Sequence, residues 1–162
     1  MRSTGEVMGL DRDFNTAFAK SQMASGTFLP QSGAVFVSVR DHDKAMIADA
    51  ARQLSDMGFE IIATRGTAKF LGDLGIRVTA VNKVLEGRPH IVDRMKNGEI
   101  HLVFNTTEGS QAIRDSFLLR RTALTQRIPY YTTVAGAKAA VQAIVALRAG
   151  SLEVTPLQAY SN

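Results

Sequence analysis

Residues 34–67 read AVFVSVRDHDKAMIADAARQLSDMGFEIIATRGT, and this stretch decides the fold. It opens with a short apolar, β-branched run, Ala34–Val39, which reads as a strand buried on both faces. Ile47, Ala50, Ala51, Leu54 and Met57 follow at helical spacing over residues 43–57, and Gly58 stands where a helix C-cap belongs. A second strand is predicted over Phe59–Ala63. It runs into Thr64-Arg65-Gly66-Thr67 and a short helix over 66–74. Strand, helix, strand in this order is a βαβ unit, which makes a parallel sheet with a right-handed crossover.

The alternation continues toward the C-terminus. Strands are predicted over Ile76–Val81, Ile100–Phe104 and Pro129–Thr132. One or two helical turns are predicted over 90–97, a long amphipathic helix over 110–125 and an alanine-rich helix over 135–148. The tail from Leu152 reads as weak strand or coil. The fold class is therefore α/β: a three-layer, five-stranded parallel sheet with helices on both faces. Residues 1–21 stand apart as a short piece carrying Phe14, Ala17 and Phe18 on one helical face. Residues 22–33 read as a linker, and 34–162 as the main domain.

Composition narrows the function. With 162 residues, 45% of them hydrophobic and 21% charged, the chain is long enough for about one domain with its own core. The absence of cysteine excludes a disulfide scaffold, a thiolate nucleophile and a Cys-ligated metal. No apolar run reaches the ~18 residues of a membrane span, so no membrane partner is expected. MRSTGEVMGL has no signal-peptide core, and a cytoplasmic location is the expectation. The net charge of +4 allows an anionic partner. Lys and Arg are scattered, Trp is absent and aromatics are 7%, so no nucleic-acid partner is expected. His42 and His101 have no partners at metal-ligand spacing, and no metal is expected.

In an open parallel sheet, ligands bind beyond the carboxyl ends of the strands. The residues found there are Ser38 and Arg40, with Lys44 in the following helical turn; Thr64 to Thr67; Asn82 and Lys83; Asn105, Thr106 and Thr107; and Thr132 with Thr133. Thr64-Arg65-Gly66-Thr67 is the sharpest of these. A helix N-terminus offers unpaired N–H groups and partial positive charge. Gly66 lets an anion approach the backbone, the threonine hydroxyls donate, and Lys44 and Lys83 add point charges. Together these suit a phosphate monoester, although a plain helix cap with solvated lysines accounts for the same residues. Asn105-Thr106-Thr107 suits a base or ribose, and equally a helix cap. Glu86-Gly87-Arg88-Pro89-His90 sets acid, base and imidazole together, as a catalytic loop or as a turn with a local ion pair. Walker A, dinucleotide and nucleophile-elbow motifs are absent.

Ser38-Val39-Arg40, Thr64-Arg65-Gly66-Thr67-Ala68, VNKVLEGRPHI over 81–91 and Asn105-Thr106-Thr107 fall in one order and spacing. In them the chain resembles the C-terminal allosteric domain of the carbamoyl-phosphate synthase large subunit, which has the methylglyoxal-synthase-like fold. The resemblance covers essentially the whole chain, and 1–21 are similar to the end of the preceding ATP-grasp domain. It implies a regulatory domain of arginine and pyrimidine biosynthesis with no catalysis of its own. Its ligands would be nucleotide monophosphate effectors: UMP as inhibitor and IMP as activator. The phosphate contacts would be Lys44, Thr64, Gly66, Thr67 and Lys83. Ser38, Asn82, Asn105 and Thr107 would line the base and ribose pocket, and Thr132 would lie at a seam that takes ornithine. Further implied partners are the ATP-grasp half of the large subunit, the glutaminase small subunit and a second copy of the chain. The resemblance implies no cofactor for this segment; ATP with Mg and K ions belongs to the longer enzyme. The rival is a methylglyoxal synthase acting on dihydroxyacetone phosphate. The stretch Leu85 to His90 lacks the Gly-rich, aspartate-bearing loop which that enzyme uses.

Overall fold

Five strands and five α-helices alternate in the structure, a computed structural model that describes residues 28–82, 90–106 and 110–150, the side chains of 110–115 excepted. Strand β1 spans Ala34–Ser38, and a 3-10 turn at Asp41–Asp43 leads into helix α1, Lys44–Asp56. Then come β2 (Glu60–Thr64), α2 (Arg65–Asp73), β3 (Thr79–Val81) and α3 (Ile91–Lys96). The chain closes with β4 (Leu102–Asn105), α4 (Ser110–Gln126), β5 (Tyr130–Tyr131) and α5 (Val134–Arg148). The N-terminal piece 1–21, the tail from Leu152, Lys83 to Pro89 and Thr107 lie outside the described residues.

The sheet is parallel throughout, in the order β3-β2-β1-β4-β5. The chain therefore builds outward from β1 through β2 to β3, then crosses back to add β4 and β5 on the other side. That reversal places a topological switch point between β1 and β4.

Strand β1 is the centre, and its five residues are all buried. Side chains alternate between faces with period two. Val35 and Val37 belong to a core with Ile47, Ala50 and Leu54 of α1, Leu71 of α2, and Ala140, Val141 and Ile144 of α5. Ala34 and Phe36 belong to the opposite core, with Ile91 and Met95 of α3 and Leu119 and Ala123 of α4. The predicted three layers are thus present. The alanines of α5 hold it close to α1, because small side chains let helix backbones approach.

Two strands are shorter than the sequence suggests. The run from Ile76 pairs only over Thr79–Val81. The Ile76 N–H is already used, since it donates to Leu71 O at 3.1 Å and closes the end of α2. The run from Pro129 pairs only over Tyr130–Tyr131, because Thr133 turns away to cap α5, its Oγ1 accepting from Gly136 N at 3.0 Å. The segment ahead of β1 is packed. Leu29 is buried in the first core, and the carbonyl of Gln31 accepts from the Arg148 guanidinium at 2.7 Å. Gly33 has φ +119°, and a Cβ there would fall 2.4 Å from His101 Nδ1, so only glycine fits.

Candidate functional site

The register sets the predicted residues side by side at the carboxyl edge. Val37 pairs with Ala63, and Ser38 with Asn105. Ser38, Thr64 and Asn105 therefore end three adjacent strands in one row. Asn82 stands one residue beyond the Thr64–Val81 pair. Thr132 follows β5 at the far end and is exposed. Lys83 and Thr107 lie outside the described residues, as does the Glu86–Pro89 part of the polar loop.

Three buried hydroxyls form the centre. Thr64 Oγ1 lies 3.5 Å from both Ser38 Oγ and Thr67 Oγ1, and Val39 N donates to Thr67 Oγ1 at 3.4 Å. These contacts are long beside the ~2.7–2.8 Å of a good O–H···O bond, so the hydroxyls satisfy one another weakly and keep capacity for a ligand. Thr64 is the N-cap of α2, yet its side chain makes no capping bond. The first N–H groups of α2 are therefore not closed off by the usual side-chain cap.

Lys44 stands over this helix end. Its Nζ lies 3.6 Å from the point where a Gly66 Cβ would be, and its side chain is only 16% exposed. An ammonium held against the positive end of a helix is electrostatically unfavourable unless an anion joins them. Among the described residues its counter-charge is Asp41, paired with Lys44 and itself 96% exposed. The Lys44 hydrogen bond holds the Asp41 carboxyl below its usual range. Arg65, the first residue of α2, adds a second cation beside the turn and donates to Asn82 Oδ1 at 3.0 Å.

The other side of the row also ties the strands to their neighbours. The Asn105 amide donates to Ser116 Oγ at 2.9 Å and to the Tyr130 hydroxyl at 2.7 Å, which ties β4 to α4 and β5. Tyr130 also lies under the Arg120 guanidinium, 5.0 Å from its ring centre. Burial raises the Tyr130 pKa against the opposing pull of Asn105 and Arg120. Thr106 closes β4 onto β1: its N–H donates to Ser38 O at 2.9 Å, and its hydroxyl accepts from Arg40 N at 3.2 Å.

Asp43 is the residue that sequence reasoning passed over. It is buried, and it accepts from Arg40 Nε at 2.8 Å. Burial works against its charge, but hydrogen bonds from Thr106 and Arg40 and the charge of Arg40 outweigh it and lower the pKa. Asp43 thereby fixes the turn that delivers Lys44. The Arg40–Asp43 spacing of three was the available signal. Imidazole and acid lie close at His90: Asp93 Oδ2 is 3.6 Å from His90 Nδ1 and accepts from the His90 backbone N–H at 2.9 Å. The buried His90 Nδ1 has no hydrogen-bond partner. Among the described residues no three His, Asp or Glu gather as a metal would need.

A family model described as "MGS-like domain" matches residues 46–132. The chain belongs to the MGS-like domain family. Ser38 and Lys44 lie just ahead of the matched range, and Thr64, Thr67, Asn105 and Thr132 lie within it. This MGS-like domain is 61% identical over 160 residues to the carbamoyl phosphate synthase large chain of Rhizobium meliloti. It is 58% identical to that of Mesorhizobium japonicum. Each match covers 99% of this chain, and the chain spans 14% of the length of those relatives. A solved methylglyoxal synthase from Elizabethkingia anophelis shares the fold, with a TM-score of 0.56 at 21% identity over 70% of this chain and 79% of that one. No helix among the described residues is long and apolar enough to cross a membrane.

Proposed function

We propose that this MGS-like domain is the regulatory, effector-binding domain of a carbamoyl-phosphate synthase large chain and takes nucleoside monophosphates at its carboxyl edge. One observation carries the reading. Lys44 Nζ is held over Gly66 at an uncapped helix N-terminus, beside the buried hydroxyls of Ser38, Thr64 and Thr67. Ammonium, helix end and hydroxyl donors converge where a phosphate dianion would satisfy all of them. Lys83 supplies a second ammonium in this reading, and Asn82, Asn105 and Thr107 meet base and ribose. The high identity to carbamoyl phosphate synthase large chains supports UMP and IMP as the ligands. Chemistry with ATP, Mg and K ions belongs to the rest of such a chain, as do the glutaminase partner and the ornithine seam at Thr132. Self-association and a cytoplasmic setting complete the proposal.

Thermal unfolding with UMP, IMP, ornithine and dihydroxyacetone phosphate tests it. A ligand at about 100 times its dissociation constant adds roughly 2.7 kcal/mol. For a chain of this size that is a rise of roughly 5–10 °C. The expected result is a rise with UMP or IMP and none with ornithine alone. A rise confined to the triose phosphate, with methylglyoxal formed, would overturn the regulatory reading.

A further inference from the structure

A recess lies at the opposite, amino edge of the sheet. It is open to solvent, holds about 260 Å³ and is lined mainly by the residues that lead into β1, β4 and β5. Phe28, Met95, Ile100 and Pro129 make an apolar wall, and His101 and Arg127 supply polar groups. Among the described residues, none of those lining it is acidic. The nearby Glu99 is engaged elsewhere, accepting from Arg94 Nε at 2.8 Å.

The protons in this recess can be placed. Ala34 N–H donates to His101 Nδ1 at 3.0 Å, so the ring carries its proton on Nε2. Neither Nε2 nor the Arg127 guanidinium has a hydrogen-bond or ion-pair partner among the described residues. Arg127 is also the one non-glycine residue there with positive φ, at +58°. Its N–H donates to Leu124 O at 3.2 Å and Ile128 N–H to Ala123 O at 2.8 Å, the closing bonds of α4. Glycine is the residue favoured at such a position. A cation is thus kept in a backbone conformation that disfavours its side chain, beside an apolar recess that no acid lines among the described residues.

We propose that this recess is a binding site for a small anion with an apolar body, of the arylcarboxylate class. The carboxylate meets Arg127 and His101 Nε2, and the ring lies against Phe28, Ile100 and Pro129. The volume falls below the ~300 Å³ of drug-sized pockets, which restricts the ligand to about one ring. The site is independent of the nucleotide reading, since it uses other residues on the other edge.

Benzoate, with benzyl alcohol as its neutral counterpart, tests the proposal by amide chemical shifts of the isotope-labelled chain. Benzoate is expected to give saturable shifts at Gly98 to His101 and Gln126 to Ile128, with a dissociation constant on the order of 1 mM. Saturating UMP leaves those shifts unchanged. Benzyl alcohol binds at least about ten-fold more weakly than benzoate. Arg127→Gly removes the cation and relieves the backbone, so it folds at least as stably, and it weakens benzoate about ten-fold while leaving benzyl alcohol alone. Shifts confined to Thr64–Thr67, equal binding of acid and alcohol, or unchanged affinity in Arg127→Gly would each overturn the proposal.

Discussion

Lys44 and the first turn of α2 repel each other across Gly66, and the effector proposal depends on that repulsion being relieved by a phosphate. A hydrogen bond to a charged group contributes roughly 1.5–3 kcal/mol. Lys44→Ala is expected to weaken UMP binding about 10- to 100-fold in calorimetry, and Lys83→Ala to do the same. Affinity unchanged from wild type in either variant would remove that lysine from the pocket. Asp41 competes for the same ammonium. Asp41→Asn is therefore expected to tighten UMP binding about two- to five-fold, the scale of an exposed ion pair; weaker binding would mean that Asp41 positions Lys44 for the ligand. Asp43 ties stability to pH. Its folded value lies below the ordinary one. The stability it contributes is thus present above about pH 4 and is lost as pH falls through the folded value. The stability gap between wild type and Asp43→Asn should shrink on acidification from pH 5 toward about pH 2. A gap that grows on acidification would reverse the sign.

At the scale of elements, the sequence pattern located every α-helix and strand of the described part but not the 3-10 turn at Asp41–Asp43, and its other errors sit at ends where a local bond outranks periodicity. Ile76 is apolar and buried, so the pattern extends the third strand back to it, yet its N–H is taken by α2. The place of Ser38, Thr64, Thr67 and Asn105 at the carboxyl edge was legible, because it follows from strand positions alone. The engagement of Asn105 by Ser116 and Tyr130 was not legible, because the partners are 11 and 25 residues away. Nor was Arg127, since nothing in the letters marks an arginine held at positive φ. Thr133 gives an element-scale prediction. Thr133→Ala removes the Gly136 capping bond and should cost about 1 kcal/mol, seen as a lower denaturant midpoint with unchanged slope. A change below about 0.3 kcal/mol would mean that α5 is held by packing alone.

Across the whole molecule, β1 carries both cores and also ends in the site. Phe36 is fully buried at the centre of the second core. Phe36→Ala is expected to cost roughly 3–5 kcal/mol in equilibrium unfolding. Because Phe36 and Ser38 lie on the same strand, nucleotide affinity should fall with it even at temperatures where the variant stays folded. Full affinity in a folded Phe36→Ala chain would show that the carboxyl edge is held by its own hydrogen bonds.

The packing ahead of β1 has a practical meaning for anyone transplanting this domain. Periodicity puts the start of the module at Ala34, but the interior already includes Leu29, and Gly33 fits against His101 as a tongue fits a groove. A graft that begins at the first strand would leave out an interior leucine and the glycine that seats the imidazole. The portable unit begins by Leu29, and a joint to a foreign partner belongs upstream of it.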